Sequence, residues 1–211
     1  MRLANYQGRA TIVVDGRAVD VQRAGDGSLS SDPMMLSDLA NYASLRAIAA
    51  AARSGDWPLL DEAHLGAPVP RPAKGFGVAL TYRQHALESG RELPTEPHLF
   101  GKMENCVCGP FDDIVVPAGH THVDYEAELV IVFGRTCKAA TRENAWGFLA
   151  GVTAGQDISD RTEQFRAPVK QFTIAKSYDT FGPIGPDLVT ADELANPDAL
   201  ELEGRVSGEV M

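Results

Sequence analysis

The sequence predicts an α+β protein that is mostly β: a twisted roll or barrel-like sandwich with short helices behind a small front part. Three observations carry this. In ATIVVDGRAVDV, β-branched runs flank Asp15-Gly16, the dipeptide favoured in a two-residue hairpin turn. One helix follows, roughly Ser37 to Arg53, with Leu45, Ile48, Ala49 and Ala52 on a single apolar face. The later apolar runs do not alternate with regular helices, which argues against a doubly wound parallel sheet.

Taken in order, the hairpin leads into a loop from Gly25 to Pro33 rich in Gly, Ser, Asp and Pro. The helix then runs to a stop at Gly55. LGAPVPRPAKG, with Pro68, Pro70 and Pro72, suits neither a helix nor a central strand and reads as a linker. The predicted division is residues 1–69, a small hairpin-plus-helix domain, and residues 70–211, the part that carries chemistry. Gly75 to Leu80 reads as a short buried strand. Thr81 can cap the helix after it, with Gln84 completing a capping box. Ser207-Gly208 reads as a turn between two strands.

Composition excludes several functions. A hydrophobic content of 44% with 23% charged residues is that of a globular chain. A net charge of −10 opposes binding to nucleic acid or to an anionic membrane. No run approaches the ~18 apolar residues of a membrane span. MRLANYQGRA lacks the apolar core of a signal peptide. Three cysteines, Cys106, Cys108 and Cys137, make no disulfide framework and point to reduced thiols in a cytoplasm. Cys106-Val-Cys108 has no second ligand pair at zinc spacing, so a structural role is expected.

Four segments carry candidate chemistry. In HVDYEAELVIVFGR, Asp124, Glu126 and Glu128 fall at every second position. On a strand they share one face, ~6–7 Å apart, and like charges so placed resist burial. Either that face is solvated or a cation sits there. The apolar continuation favours the cation, and carboxylates without sulfur select Mg²⁺, Mn²⁺ or Ca²⁺ over zinc. His85 and Glu88, at i and i+3, make either a solvated pair or an imidazole oriented as a base. Asp157, Arg161 and Gln164 follow at i, i+4 and i+7, one face of a helical turn. They read as a helix pair with a solvated Gln, or as a further ligand beside two groups for a substrate carboxylate. Lys176 leaves an apolar strand at a Pro/Gly turn, either to snorkel or to aim its ammonium at an enolate or carboxylate.

In this order, TYRQHALE, LFGK, DYEAEL, AGQDISDRTEQ and KSYDTFGPIGP resemble the fumarylacetoacetate hydrolase family, from about Gly75 to the end. The front hairpin and helix resemble the cap that many members carry. The resemblance implies a fumarylacetoacetate hydrolase-like mixed β-roll or barrel behind a small N-terminal α/β cap. It implies Glu126, Glu128 and Asp157 as ligands of Mg²⁺ or Mn²⁺, with Asp124 as their neighbour. His85 and Glu88 match the dyad that handles the proton of water. Lys102, Arg161, Gln164 and Lys176 match groups around the substrate's oxygens, and Tyr82 stands with them. The implied reaction is hydrolysis of a carbon–carbon bond in a small diketo acid through a metal-stabilised enolate. Isomerases, decarboxylases and hydratases of related 2-keto acids use the same groups, and a homodimer is the expected assembly. A metal-binding protein without turnover is the alternative from another class. Thr81 departs from the family's usual Asn. Family members continue beyond LEGRVSGEVM, so the chain reads as a fragment ending inside a hairpin, with exposed strand edges, a pocket open on one side and less stability than a full member.

Overall fold

The computed structural model describes residues 1–211. Its strands are β1 (Arg2–Tyr6), β2 (Arg9–Val14), β3 (Arg17–Asp20), β4 (Leu65–Gly66), β5 (Gly75–Ala79), β6 (His98–Lys102) and β7 (Val107–Cys108), then β8 (Val123–Asp124), β9 (Ala127–Phe133), β10 (Leu149–Gln156), β11 (Ser159–Asp160), β12 (Gly182–Thr190), β13 (Arg205–Val206) and β14 (Glu209–Val210). The α-helices are α1 (Val21–Ala24), α2 (Tyr42–Ala52), α3 (Arg83–Glu88), α4 (Arg161–Gln164) and α5 (Phe172–Ala175). Most of the sheet runs β3-β2-β1-β12-β10-β9, with β4 on β1 and β7 on β12. It stays open, with β3 and β9 at its edges, so no barrel closes.

Asp15-Gly16 joins β2 to β3 with both residues at positive φ, 50° and 74°, the geometry that makes Asp-Gly a favoured hairpin pair. Ser207-Gly208 turns β13 into β14 in the same way. Helix α2 begins at Tyr42, five residues later than the apolar pattern suggested, because the Asp32 and Asp38 side chains first cap two short 3-10 turns. Its apolar face then buries Leu45, Ile48 and Ala52 as expected. The Tyr42 hydroxyl donates to the Ala150 carbonyl of β10 at 2.9 Å and ties the helix to the sheet.

One core gathers Leu3, Ile12, Val19, Leu36, Leu45 and Leu188 with Ala150. Each fully buried aliphatic side chain there is worth ~1.5–3 kcal/mol. Arg2 and Leu3 of β1 pair with Val189 and Leu188 of β12, so residues on both sides of Pro70 share one sheet and one core. The close approach of β10 to β12 requires Gly151, where an added Cβ would lie 2.1 Å from the Val189 carbonyl oxygen.

Two expectations are corrected. The β5 strand is not buried: it pairs only with β6, and Phe76 is 64% exposed because α5 packs against the hairpin through Phe100 and Gly101 of β6 and leaves the Phe76–Val78 face uncovered. The acidic segment is not one continuous strand. It breaks at Tyr125-Glu126, where β8 pairs with β11 and β9 turns to β10. As an edge strand, β9 leaves Ile131 and Phe133 exposed despite its apolar sequence.

Candidate active site

The break between β8 and β9 builds the site. The Asp157 amide donates to the Glu126 carbonyl at 2.9 Å, just past the end of β10, and Ser159 then stands opposite Asp124 in the β8–β11 pair. Asp124, Glu126, Asp157 and Ser159 thus meet where two strand pairs cross over. Asp157 is not on the helix that carries Arg161 and Gln164, as the i, i+4, i+7 spacing suggested. It precedes β11, and Asp160 caps α4 by accepting from the Thr162 and Glu163 amides.

Lys176 is the C-cap of α5, not the end of a strand, and its side chain is only 2% exposed. Its ammonium donates to Glu126 Oε2 (2.8 Å), Asp157 Oδ2 (2.8 Å) and Ser159 Oγ (2.6 Å) and lies 5.2 Å from the Phe100 ring centroid. Three partners account for all its donors, so it neither snorkels nor points at open space. Lys102, at the end of β6, donates to Asp157 Oδ1 (2.7 Å) and to the carbonyls of Lys176 (2.5 Å) and Phe181 (2.9 Å). Arg161 forks onto Asp124 Oδ2 through Nε and Nη2, at 2.9 and 2.8 Å, and reaches Glu126 Oε1 (2.7 Å) and Gln164 Oε1 (2.8 Å) through Nη1. Each oxygen of Asp157 therefore meets a different lysine.

Glu128 behaves differently. Glu126 and Asp157 each hold two ion pairs, and none reaches Glu128. Burial, then the charges of Glu126 and Asp157, push its carboxyl up to about 7. His85 is near enough for its charge to oppose that rise, and the Tyr82 phenol is raised by burial and then by Glu128. His85 Nδ1 and Glu88 Oε1 lie 2.9 Å apart with the side chains 56% and 71% exposed. The expected capping box is absent: Tyr82 is the N-cap and makes no side-chain bond, because α3 starts one residue after the position Thr81 would serve.

The expected metal ligands are not drawn into a ready coordination group, since Glu126 and Asp157 converge on the Lys176 ammonium instead. Their chemistry nonetheless suits a hard divalent ion: all the donors are carboxylate oxygens, two already focus on one cation, and Glu128 beside them is half-buried without one. The cysteines are free thiols with no ion pair to this cluster, and Cys106 is buried against Phe181 and Ile158. Sequence reading missed Ser159 and the Asp124–Arg161 fork. Both depend on the β8–β11 pairing, which leaves no local signal.

Comparison with known proteins assigns the site a family. Residues 74–211 match the profile described as Fumarylacetoacetate (FAA) hydrolase C-terminal. A Burkholderia lata protein provisionally named a hydrolase is 41% identical over 195 residues, 92% of this chain and 66% of the relative. Human FAHD2A, named a mitochondrial oxaloacetate tautomerase, is 40% identical over 145 residues, 69% of this chain and 46% of the relative. The chain thus spans less than two thirds of the length of these relatives. Among solved structures, a provisionally named HpcE protein from Mycobacterium smegmatis superposes with a TM-score of 0.83 at 40% identity, covering 100% of this chain and 74% of that one. Maleylpyruvate hydrolase from Sphingobium sp. SYK-6, solved with manganese(II) and pyruvate, gives 0.73 at 28% identity over 93% of this chain and 70% of that one. The motifs, the mostly β fold and the matched profile agree, and the chain belongs to the fumarylacetoacetate hydrolase family.

Proposed function

We propose that the chain carries the site of a divalent-metal-dependent enzyme that cleaves a carbon–carbon bond in a small diketo acid with water. One observation carries this: Lys102, Lys176 and Arg161 converge on Glu126 and Asp157, while Glu128 beside them is half-buried and has no ion pair. With Glu128 ionised, four carboxylates, counting Asp124, face those three cations, one negative charge in excess. Glu126, Glu128 and Asp157 would hold Mg²⁺ or Mn²⁺, which reverses the excess to one positive charge, the sign a keto acid requires. When bound, the ion supplies Lewis-acid stabilisation of an enolate; the maleylpyruvate hydrolase with manganese and pyruvate supports this assignment.

The chain's own groups divide the remaining work. Lys102 and Lys176 fix Asp157 and Glu126 in place, a positioning role rather than direct contact with substrate. The Gln164 amide, the Arg161 guanidinium and the half-exposed Tyr82 phenol offer donors to the substrate's oxygens. Glu88 orients His85, which takes a proton from water as that water attacks the distal carbonyl.

A second reading has support from the human tautomerase relative. There His85 moves a proton on the carbon beside the keto group, and no bond is cleaved. Product analysis separates the two. With Mg²⁺ or Mn²⁺, an acylpyruvate should give pyruvate plus a second acid. Keto–enol interconversion of oxaloacetate without cleavage of any acylpyruvate would favour the second reading. Release of CO₂ as the main product would overturn both.

A further inference from the structure

His120 belongs to none of the motifs above, yet it touches both supports of the site. Its Nδ1 contacts Asp160 Oδ2, and Asp160 is 1% exposed. An ionised carboxylate only accepts, so the imidazole donates from Nδ1. The other Asp160 oxygen accepts from the Thr162 and Glu163 amides at 2.8 and 3.1 Å, the N-terminal cap of α4. The His120 ring also stands edge-on to Tyr178 at 4.9 Å, and Tyr178 packs on Phe181 at 5.3 Å. Phe181 in turn offers its carbonyl to Lys102. Two residues on, His122 accepts the Arg161 amide through its carbonyl at 2.9 Å. One side of His120 therefore holds the helix of Arg161 and Gln164. The other holds the loop that leaves Lys176.

We propose that His120 is a positioning residue, fixing α4 against the Lys176 loop by binding Asp160 and packing edge-on against Tyr178. Its effect on ligand binding rests on the keto-acid function proposed above; the clamp itself does not. Binding to Asp160 fixes the cap, and the cap fixes the azimuth of Arg161 and Gln164. A ligand held by those two side chains then senses a residue that never touches it.

His120→Phe keeps a ring on Tyr178 and removes the donor, and His120→Asn places an amide N–H near the lost Nδ1. Hydrogen exchange at the Thr162 and Glu163 amides reports the clamp. Pyruvate binding in the presence of Mn²⁺ reports the site. Leu45→Val, in the main core, serves as a control of reduced stability. His120→Phe should speed exchange of those two amides about tenfold relative to β10, the effect of losing one hydrogen bond to a charged group. Pyruvate affinity should fall with it, and His120→Asn should recover most of both. Leu45→Val should change neither relative to β10. Unchanged α4 exchange in His120→Phe would overturn the clamp. Faster exchange with unchanged pyruvate affinity would overturn the positioning role. If the unaltered chain binds no pyruvate with Mn²⁺, the keto-acid function falls and the exchange measurement alone decides the clamp.

Discussion

The two halves of the candidate site are built to opposite rules. The half that holds charge has Lys176 and Asp157 buried and Lys102 and Glu126 partly so, and every ammonium donor has a partner. The half expected to move a proton, His85 and Glu88, stands on a six-residue helix with no side-chain cap and one ion pair in solvent. A buried network with all its donors satisfied is rigid and costly to disturb. An exposed pair costs little to disturb. In the proposed function, the ligand-holding geometry would thus be fixed by folding, whereas the acid–base geometry would be left to be set when substrate arrives.

That contrast can be broken first at Lys176. Lys176→Met should destabilise the fold by about 3–5 kcal/mol, because it leaves Glu126 and Asp157 facing each other without their shared cation. Denaturant unfolding measures this, and a loss under about 1 kcal/mol would mean that the network is not supporting the fold. Lys102→Met should cost less, since Lys102 is more exposed and Asp157 keeps Lys176.

Acid should sharpen the contrast within the buried half. Burial alone would raise the Asp160 carboxyl, but the hydrogen bonds from His120 and from the Glu163 and Thr162 amides outweigh it and hold the carboxyl below its ordinary 3.8. A group depressed on folding contributes stability above its unfolded value and loses it as pH falls through the folded one. Protection of the α4 amides should therefore drop below about pH 4, ahead of the β10–β12 amides. Simultaneous loss in both segments would show that the cap has no separate titration.

The smallest expected effect on stability is at the exposed half. Glu88→Gln should leave the melting midpoint and the Mn²⁺ affinity unchanged while lowering turnover roughly 10²-fold, the low end of general-base contributions. A parallel fall in metal affinity would mean that Glu88 supports the carboxylates rather than the imidazole.

How much was legible in the sequence follows the same division. Local spacing revealed the hairpin at Asp15-Gly16, the apolar face of α2 and the His85–Glu88 pair, because each is decided within one or two turns of chain. The acids were found by their alternation, but for a reason only half correct. Asp124 and Glu128 sit on different strands, and the break between them lets Asp157 reach Glu126. The burial of Lys176 had no local signal. It depends on α5 ending beneath Phe100 of β6 and beside Ser159 of β11, contacts from distant parts of the chain. The exposure of Phe76 was likewise hidden, since an apolar strand reads the same whether or not a second layer covers it.

The central claim is that Glu126, Glu128 and Asp157 can hold a divalent ion where the lysines now hold two of them. It is tested most directly by titrating Mn²⁺ into metal-stripped protein and into the Glu126→Gln/Glu128→Gln double variant while following thermal unfolding. The unaltered chain should show saturable stabilisation, ~2.7 kcal/mol at a hundredfold excess over Kd, and the double variant should show none. Equal stabilisation of both, or none in the unaltered chain, would contradict a metal site on these carboxylates.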